Sequence, residues 1–417
     1  MMNARMINKT KIKTLDQKNF IWNFFGATLN SFNSFFFLII VKWVNGINDA
    51  GIFTYAYAIC CLFYFISMYF NRAYQVSDID NKYSFNQYFT LRIFMSIISL
   101  ILLLFFSMVS HFDIYKIEII MLIMIFRTVE AICDLFYGQI QKFGYLYKTG
   151  ISLSIKAVLG LIVFFVIDLI TKNIILSLIG LCLINILIFI FYDKKILNSL
   201  KTSVQFDFSN IKSMILAMFP VFIFTFLQTY LLNCQKYVIT YFVGNDIQTI
   251  FGILIMPATI LCLACNYLIT PFINELTQLY KNKEISKFVK KVIFIFSLLF
   301  AFGIVCIVIV SLIGIPVLNA VYNVELVQYK MLLLVIIFAS TLCAEATIIS
   351  NLLTIVEVNK IQSIIYLIVT VLDTIMSYYL IRISGISGAV YSYLITFALL
   401  LLLMMTVFVN TIKKVGK

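Results

Sequence analysis

The basic residues of this chain are concentrated in every second gap between its long apolar stretches. Starting from the N-terminal tail, alternate gaps hold 5, 3, 3, 4, 5, 1 and 3 Lys or Arg residues, whereas the six intervening gaps hold one each. The one basic residue of the 31 that lies in no gap, Arg127, is inside an apolar stretch. Cytoplasmic loops of multi-span membrane proteins carry such an excess of Lys and Arg. The alternation therefore predicts about twelve transmembrane helices, with both termini in the cytoplasm.

The composition agrees with an all-α integral membrane protein. Hydrophobic residues make up 63% of the 417 positions and charged residues only 12%, well outside the range of soluble globular domains. The net charge of +13 is dispersed at the edges of loops and forms no basic patch with interleaved aromatic residues. We therefore expect membrane lipids as partners, because the cytoplasmic leaflet is anionic, and no nucleic acid.

The gaps also suggest a division into two six-helix bundles, residues 1–200 and 201–417. Both halves carry an Asn-Asp pair after their first span, at Asn48-Asp49 and at Asn245-Asp246, which hints at an internal repeat. The longest outer loop is expected at about 314–329. The predicted spans are approximately 20–42, 51–71, 89–110, 117–139, 151–170, 173–192, 213–234, 247–271, 291–314, 327–352, 361–381 and 388–410.

No signature of an enzyme or of a bound cofactor is present in the sequence. Walker loops, G-x-S-x-G elbows and H-E-x-x-H motifs are all missing. The nine cysteines lie in or beside apolar stretches, without the spacing of a disulfide framework or a metal site. We therefore expect no catalytic residue, no metal and no cofactor. A membrane polymerase or glycosyltransferase would need a sizeable outer loop, which the short gaps disfavour.

Charged residues inside the fourth span are the first candidates for a functional site. Arg127, Glu130 and Asp134 fall on one face of a helix. A charge at mid-bilayer costs roughly 3 kcal/mol, so such residues normally face a protein interior or a water-filled cavity. One interpretation is a self-neutralising pair of Arg127 with Glu130. The other is a face that lines a translocation cavity and attracts an anionic group.

Other polar residues within the spans leave two interpretations open. Glu345 and Asp373 are candidates for proton or sodium coupling, or simply hydrogen-bond to neighbouring helices. Asn30 and Asn33 in the first span could line a polar lumen or join helices. Lys156 and Asp168 lie near the ends of the fifth span, where snorkelling to the interface would explain them.

Prolines within the second half of the chain suggest kinked helices. Pro220 and Pro257 lie well inside predicted spans, where a proline frees a carbonyl group and bends the helix. Such a kink could serve gating, or it could be an ordinary packing feature of a membrane helix.

Several short motifs are spread over most of the chain. They are Asn71-Arg72-Ala73-Tyr74-Gln75-Val76-Ser77-Asp78 with Lys82-Tyr83-Ser84, Tyr88 and Arg92, then Asn233-Cys234-Gln235-Lys236-Tyr237, Pro257, Pro271, Gly314-Ile315-Pro316-Val317-Leu318 and Ser384-Gly385-Ile386-Ser387-Gly388-Ala389. Together they resemble motifs of bacterial polysaccharide repeat-unit flippases, of the multidrug/oligosaccharidyl-lipid/polysaccharide exporter superfamily. The chain departs from the family pattern at Gln235, where proline is usual, and at Thr240, where an acid is common.

The resemblance implies two six-helix bundles around a central cavity, working by alternating access in the bacterial cytoplasmic membrane. The implied substrate is an undecaprenyl-diphosphate-linked oligosaccharide for O-antigen, capsule or another surface polysaccharide. A polysaccharide polymerase and a chain-length regulator are the implied protein partners. A diphosphate needs cationic ligands, and Arg72, Lys42 and Lys236 join Arg127 as candidates. The alternatives are a drug/cation antiporter of the same superfamily and, less favoured, a polymerase or glycosyltransferase.

Overall fold

The computed structural model describes residues 2–69, 72–78, 81–356 and 358–415, and every regular element within these ranges is helical. The chain divides into two compact units, Met1–Phe222 and Ile223–Lys417. The first unit contains α1 (Met2–Asn45), α2 (Ile47–Met68), α3 (Arg72–Ser77), α4 (Phe85–Val109), α5 (Ile114–Lys142), α6 (Leu146–Thr171), α7 (Ile174–Ile188), a π-helical turn (Phe189–Asp193) and α8 (Lys194–Ser199).

The boundary between the units lies inside α9 (Ile211–Phe242). The second unit continues with α10 (Asn245–Lys281), α11 (Ile285–Ile309), a π-helical turn (Val310–Gly314), α12 (Ile315–Tyr322), a 3₁₀ turn (Val327–Tyr329), α13 (Lys330–Ile355) and α14 (Asn359–Val415). The motif residue Asn71 and the side chain of Pro271 lie outside the described residues. The division into bundles 1–200 and 201–417 stays a prediction.

Local sequence signals account for the helix boundaries that matter most here. Ser84 caps α4 in a reciprocal capping box with Gln87, which satisfies backbone groups that a helix start leaves open. Gly46 precedes α2 with a φ of 95° and Gly244 precedes α10 with a φ of 99°, a region that favours glycine. Both Asn-Asp pairs follow these glycines, in the first turns of α2 and α10. The same local pattern, a glycine with positive φ followed by an Asn-Asp pair in the first helical turn, therefore occurs in each unit.

The helix α14 is a hairpin rather than one continuous rod. Gly385 has non-helical angles (φ 57°, ψ −128°), which a side chain would strain. The Oγ atoms of Ser377 and Ser392 are 3.2 Å apart, and Thr396 donates to Asp373 at 2.6 Å, so the segments on either side of Gly385 pack against each other. This agrees with the separate spans predicted at 361–381 and 388–410.

Nine described helices are long and apolar enough to cross a membrane, or ten when the two parts of α9, bent at Pro220, are counted as one span. The bend matches the kink predicted at this proline, whereas α10 continues through Pro257. The predicted outer loop at 314–329 is wrong in extent, because the chain remains helical through α12. Apolar residues that follow Gly314 at helical spacing, such as Ile315 and Leu318, are buried and continue the helix.

Close backbone contact joins α1 to α6 in the first unit. A Cβ added at Gly150 would lie 2.1 Å from the carbonyl oxygen of Trp22, and one added at Gly26 would lie 2.2 Å from that of Gly150. Small residues at such crossings allow membrane helices to pack by van der Waals contact. The contact brings the polar part of α1, including Asn30, against the α5–α6 region that carries the candidate site.

Candidate functional site

A polar cavity of about 230 Å³ lies within the first unit. It is bordered by residues of α1, α2, α3, α5, α6 and α7, so six separate helices contribute to one site. The lining residues are Ala27, Asn30, Ser31, Tyr64, Arg72, Arg127, Val129, Glu130, Cys133, Asp134, Tyr137, Leu153, Lys156 and Asn185. Five of the predicted site residues are therefore brought together: Asn30, Arg72, Arg127, Glu130 and Asp134.

Arg127 is held in the cavity wall by several contacts. Its Nη1 donates to Glu130 Oε2 at 2.6 Å, and its Nη2 donates to the sulfur of Cys61 at 3.3 Å. The guanidinium also lies over the rings of Tyr57 and Tyr64, at 4.5 and 5.4 Å from their centroids. Such cation–π contacts strengthen when they are removed from water. The intrahelical pair and the cavity-lining face, posed as alternatives by the sequence, therefore both exist.

Asp134 is held more loosely, between two arginines. Its carboxylate oxygens lie 3.9 Å from Arg72 Nε and 3.9 Å from Arg92 Nη2, beyond hydrogen-bonding distance. Asp134 Oδ2 is buried and accepts no hydrogen bond from the described residues. The Arg72 side chain is 27% exposed, and it borders the cavity from the start of α3. Arg72 is therefore the cavity cation with the fewest donors engaged by described residues.

A closed ring of hydrogen bonds forms the wall next to α6. Lys156 Nζ donates to Tyr137 Oη at 2.9 Å and to Asp193 Oδ2, while Ser152 Oγ donates to Asp193 Oδ1 at 2.6 Å. The Oη of Tyr137 and the Oγ of Ser152 are 2.9 Å apart. Because Ser152 donates its one hydrogen to Asp193, the Tyr137 hydroxyl must donate to Ser152. Lys156 uses its third hydrogen on the sulfur of Cys133.

The snorkelling predicted for Lys156 and Asp168 is wrong, because both side chains are buried. Lys156 is 5% exposed and paired with Asp193, which the π-helical turn after α7 presents. Asp168 is fully buried and accepts from Asn45 Nδ2 at 2.7 Å and from Ser177 Oγ at 3.2 Å. Both residues have polar partners on neighbouring helices, which removes the need to reach water.

The charges around the cavity leave a positive excess. The described lining includes three cations, Arg72, Arg127 and Lys156, and two carboxylates, Glu130 and Asp134. Directly behind this lining, Asp193 pairs with Lys156 and the buried Arg92 faces Asp134. The cations exceed the carboxylates by one, whether the lining residues are counted alone or together with Asp193 and Arg92. The site is therefore suited to a ligand with a net negative charge.

The remaining predicted polar candidates are not part of this lining. Asn33 and Lys42 lie on α1, Asn33 buried and Lys42 half-buried. Lys236 lies on α9 in the second unit, where its Nζ donates to Asn233 Oδ1 at 3.1 Å. Of the polar first-span pair, only Asn30 reaches the cavity.

The two ion-coupling candidates belong to the second unit. Asp373 Oδ1 accepts from Gln235 Nε2 at 2.9 Å, from Thr396 Oγ1 at 2.6 Å and from Ser377 Oγ at 3.2 Å. The hydrogen bonds to neighbouring helical segments that the sequence offered as one interpretation therefore form at Asp373. Glu345 is 6% exposed, on α13. The coupling roles of both remain predictions.

Sequence reasoning missed the buried positions of Arg92 and Lys156, because both were counted with the loops. Arg92 is fully buried, eight residues into α4, and Lys156 lies well inside α6. The capping box of Ser84 and Gln87 was the available signal that α4 begins early. With these two residues removed, the alternate gaps still hold 22 basic residues (24 − 2) against six, so the topology prediction keeps its basis.

Comparison with known proteins places the fold among transporters. No family model matches the chain. A capsular polysaccharide biosynthesis protein of Staphylococcus aureus, CapF, is 26% identical over 333 residues, 77% of this chain and 81% of that protein. A point mutant of the Vibrio cholerae MATE transporter VcmN superimposes with a TM-score of 0.64 at 12% identity, covering 97% of this chain and 98% of that one.

A transporter of the MOP superfamily from Pyrococcus furiosus gives a TM-score of 0.62 at 11% identity, with 97% of both chains covered. At such low identity the likeness shows the fold alone. The chain is an all-helical, multi-pass membrane protein with a MATE-like transporter fold.

Proposed function

We propose that this protein is a flippase for undecaprenyl-diphosphate-linked oligosaccharides. The observation that carries the proposal is the polar cavity of the first unit, with its excess of positive charge and its amide and hydroxyl groups. A diphosphate requires guanidinium or ammonium donors, and sugar hydroxyls require groups that both donate and accept. Asn30, Ser31 and Asn185 supply such groups beside Arg72 and Arg127.

Two comparisons support the substrate and the transport cycle. CapF is described as a capsular polysaccharide biosynthesis protein, and the match covers most of both chains. Multidrug resistance MATE family transporters with a similar fold have been solved in an outward-facing and in an inward-facing conformation. We propose alternating access for this chain, which would carry repeat units to the outer leaflet for capsule, O-antigen or another surface polysaccharide. A polymerase and a chain-length regulator would then use the product.

We also propose twelve spans, with both termini on the cytoplasmic side of the bacterial cytoplasmic membrane. Nine apolar helices and the bent α9 give ten. The eleventh is α5, whose charged residues Arg127, Glu130 and Asp134 face the cavity rather than lipid. The second segment of the α14 hairpin is the twelfth. The alternation of basic residues supports the orientation.

Drug/cation export is the second candidate, favoured by the MATE transporters among the structural neighbours. A cationic drug would be repelled by the positive excess of the first-unit cavity, so this function would need the acids of the second unit, Glu345 and Asp373. The Pyrococcus protein is itself described as having a binding pocket of reverse polarity that suggests a different function. The polarity of the cavity here favours the anionic substrate.

Deletion of the gene separates these candidates in the host cell. We expect lipid-linked repeat units to accumulate on the cytoplasmic side, where they resist glycan-modifying enzymes added outside. Unpolymerised units exposed on the outer face would instead indicate a polymerase. Normal polysaccharide together with sensitivity to cationic drugs would indicate an antiporter.

Complementation with Arg72→Gln then tests the cavity. Because its guanidinium is 3.9 Å from Asp134 and partly exposed, we expect less than about 1 kcal/mol loss of stability. Loss of a charged hydrogen bond to the diphosphate is worth roughly 1.5–3 kcal/mol, or about 10- to 150-fold in affinity. Arg382→Gln, on α14, is the matched control. Equal export by both variants would remove Arg72 from the site.

A further inference from the structure

The segment between α8 and α9 forms a strap across the start of α4. Residues 202–208 have no regular secondary structure, and their backbone is tied to the first two turns of that helix. The amide of Gln205 donates to Asn86 Oδ1 at 3.1 Å, and the amide of Asp207 donates to Thr90 Oγ1 at 2.8 Å. Gln87 Nε2 adds a bond to Ser209 Oγ at 2.7 Å. The strap is therefore held at a definite position.

That position lies at interfacial depth. The helix α4 has 25 residues, about 37 Å of rise, which exceeds the roughly 30 Å hydrocarbon core of a bilayer. Phe206 packs against Phe89, the fifth residue of α4, with ring centroids 5.5 Å apart. Phe206 therefore lies about 6 Å along the helix axis from its first residue. This is the depth of lipid headgroups and the outermost part of the acyl chains.

The strap exposes two aromatic rings at this depth. Phe206 is 62% exposed and Phe208 is 71% exposed, and the two rings stack with centroids 6.2 Å apart. Ordered, stacked phenylalanines left open on a tethered segment would be unfavourable in water. They are suited to the headgroup boundary, where amphipathic segments bury apolar side chains.

Exposed lysines flank the rings on both sides along the chain. Residues 194–212 contain four of them and a single acid, Asp207. That carboxylate accepts from the amide of Ser209 at 2.9 Å and from its hydroxyl at 2.5 Å, and these bonds lower its pKa. The segment therefore presents a net positive charge beside its apolar rings. The exposed lysines are Lys194, Lys195, Lys201 and Lys212.

We propose that the exposed face of residues 194–212 is a docking surface for the anionic phospholipids of the cytoplasmic leaflet. Phe206 and Phe208 enter the headgroup boundary, and the four lysines select negatively charged headgroups. Each juxtamembrane lysine contributes on the order of 1 kcal/mol with anionic lipid. This surface is separate from the cavity, and it does not depend on which substrate the protein transports.

The experiment uses Phe208→Trp in the full chain, with Trp22→Phe and Trp43→Phe to remove the two native tryptophans. The protein is reconstituted in vesicles containing either brominated phosphatidylglycerol or brominated phosphatidylcholine. We expect both lipids to quench the introduced tryptophan, with severalfold stronger quenching by the anionic one. Emission typical of water and no quenching by either lipid would overturn the proposal, since the surface would then face water or a protein.

Lysine variants test the headgroup selection. Replacing all four lysines by Gln should abolish the severalfold preference for phosphatidylglycerol, whereas Lys→Arg at the same positions should retain it. The pair Lys201→Gln and Lys212→Gln should give an intermediate loss and provides a milder variant if the fourfold one folds poorly. A preference unchanged by either Gln variant would contradict the proposal.

Discussion

At the scale of single residues, the first unit buries charge only where a partner is near. Arg127 has Glu130 three positions along the same helix, so this pair could be predicted from the sequence. Lys156 pairs with Asp193, 37 positions away, and no local pattern joins them. Their contact depends on how α6 packs beside the end of α7, which is tertiary information. The sequence therefore identified the self-contained pair and missed the long-range one.

We predict that Arg127→Ala abolishes polysaccharide export and that Arg127→Lys retains part of it. Alanine removes the cation and leaves Glu130 buried without its partner, which typically costs about 3–5 kcal/mol. Export is measured in a deletion strain, with protein level as the control. The double variant Arg127→Leu/Glu130→Leu should recover protein level but not export. Normal export by Arg127→Ala at normal expression would show that the cavity assignment is wrong.

The pair of Lys156 with Asp193, in the hydrogen-bonded ring next to α6, is predicted to contribute to stability. Lys156→Met leaves Asp193 buried and unneutralised, so we expect a loss of roughly 3–5 kcal/mol in stability. Adding Asp193→Asn removes that charge and should recover most of the loss, because a buried pair replaced as a whole is often neutral. Thermal unfolding of the purified variants is the measurement. Additive losses in the double variant would mean that the two groups do not interact.

At the scale of elements, short signals explain where helices begin and turn. The capping box of Ser84 and Gln87 begins α4. At Gly46, Gly244 and Gly385 the backbone has a positive φ, which favours glycine. These signals were readable in the sequence, and the hairpin at Gly385 matches two predicted spans. The continuation of the ninth span through α12 could not be predicted from the sequence. Gly314 and Pro316 are typical of a helix end, but here the chain continues through a π-helical turn into α12.

The connection between α3 and α4 should respond to acid. Burial alone would raise the pKa of Asp78, but hydrogen bonds from the amides of Lys82 and Tyr83 and from the Tyr88 hydroxyl outweigh it and lower that pKa. A lowered folded-state pKa means that the carboxylate stabilises this turn above its unfolded pKa of about 3.9. That stabilisation is lost as the pH falls through the folded value.

Hydrogen exchange of peptides covering residues 78–90 is the appropriate measurement. After correction for intrinsic exchange rates, we expect protection to be constant near neutral pH and to fall below about pH 4. In Asp78→Asn the protection should be lower at neutral pH and should not change with acid. An acid-sensitive profile in that variant would assign the effect to another group.

At the scale of the whole molecule, hydropathy predicted a multi-span helical protein, and the apolar helices of the described residues and the MATE-like fold agree with it. The orientation predicted from loop charge stays a prediction. Hydropathy and loop charge are both sums over many residues, so neither depends on the placement of Arg92 or Lys156. The cavity depends on the convergence of six helices, and single positions cannot reveal it. Tyr64, Tyr137 and Asn185 had no distinguishing neighbours in the sequence, although they line the same space as Arg127.

Topology is the prediction that belongs to this scale. Alkaline phosphatase, which is active only outside the cytoplasm, should be active when fused after Phe112 and inactive when fused after Gly144. The first site lies in a gap with one basic residue, Lys116, and the second lies in a gap rich in lysine. A cytoplasmic reporter such as green fluorescent protein should give the opposite result. Identical signals at the two sites would invalidate the alternating arrangement.

The ring of Lys156, Tyr137, Ser152 and Asp193 has a consequence for how ligands are chosen. Its hydroxyl hydrogens can run in one direction only, because the opposite sense would leave Asp193 Oδ1 without the Ser152 donor. This wall is therefore a preset template, unable to rotate its dipoles to suit an incoming molecule. Preorganised walls favour ligands that already match them, at little cost in ordering. On this side of the cavity, ligands whose polar groups do not complement the fixed dipoles would bind weakly. Arg72 would supply the contacts that adjust to the ligand.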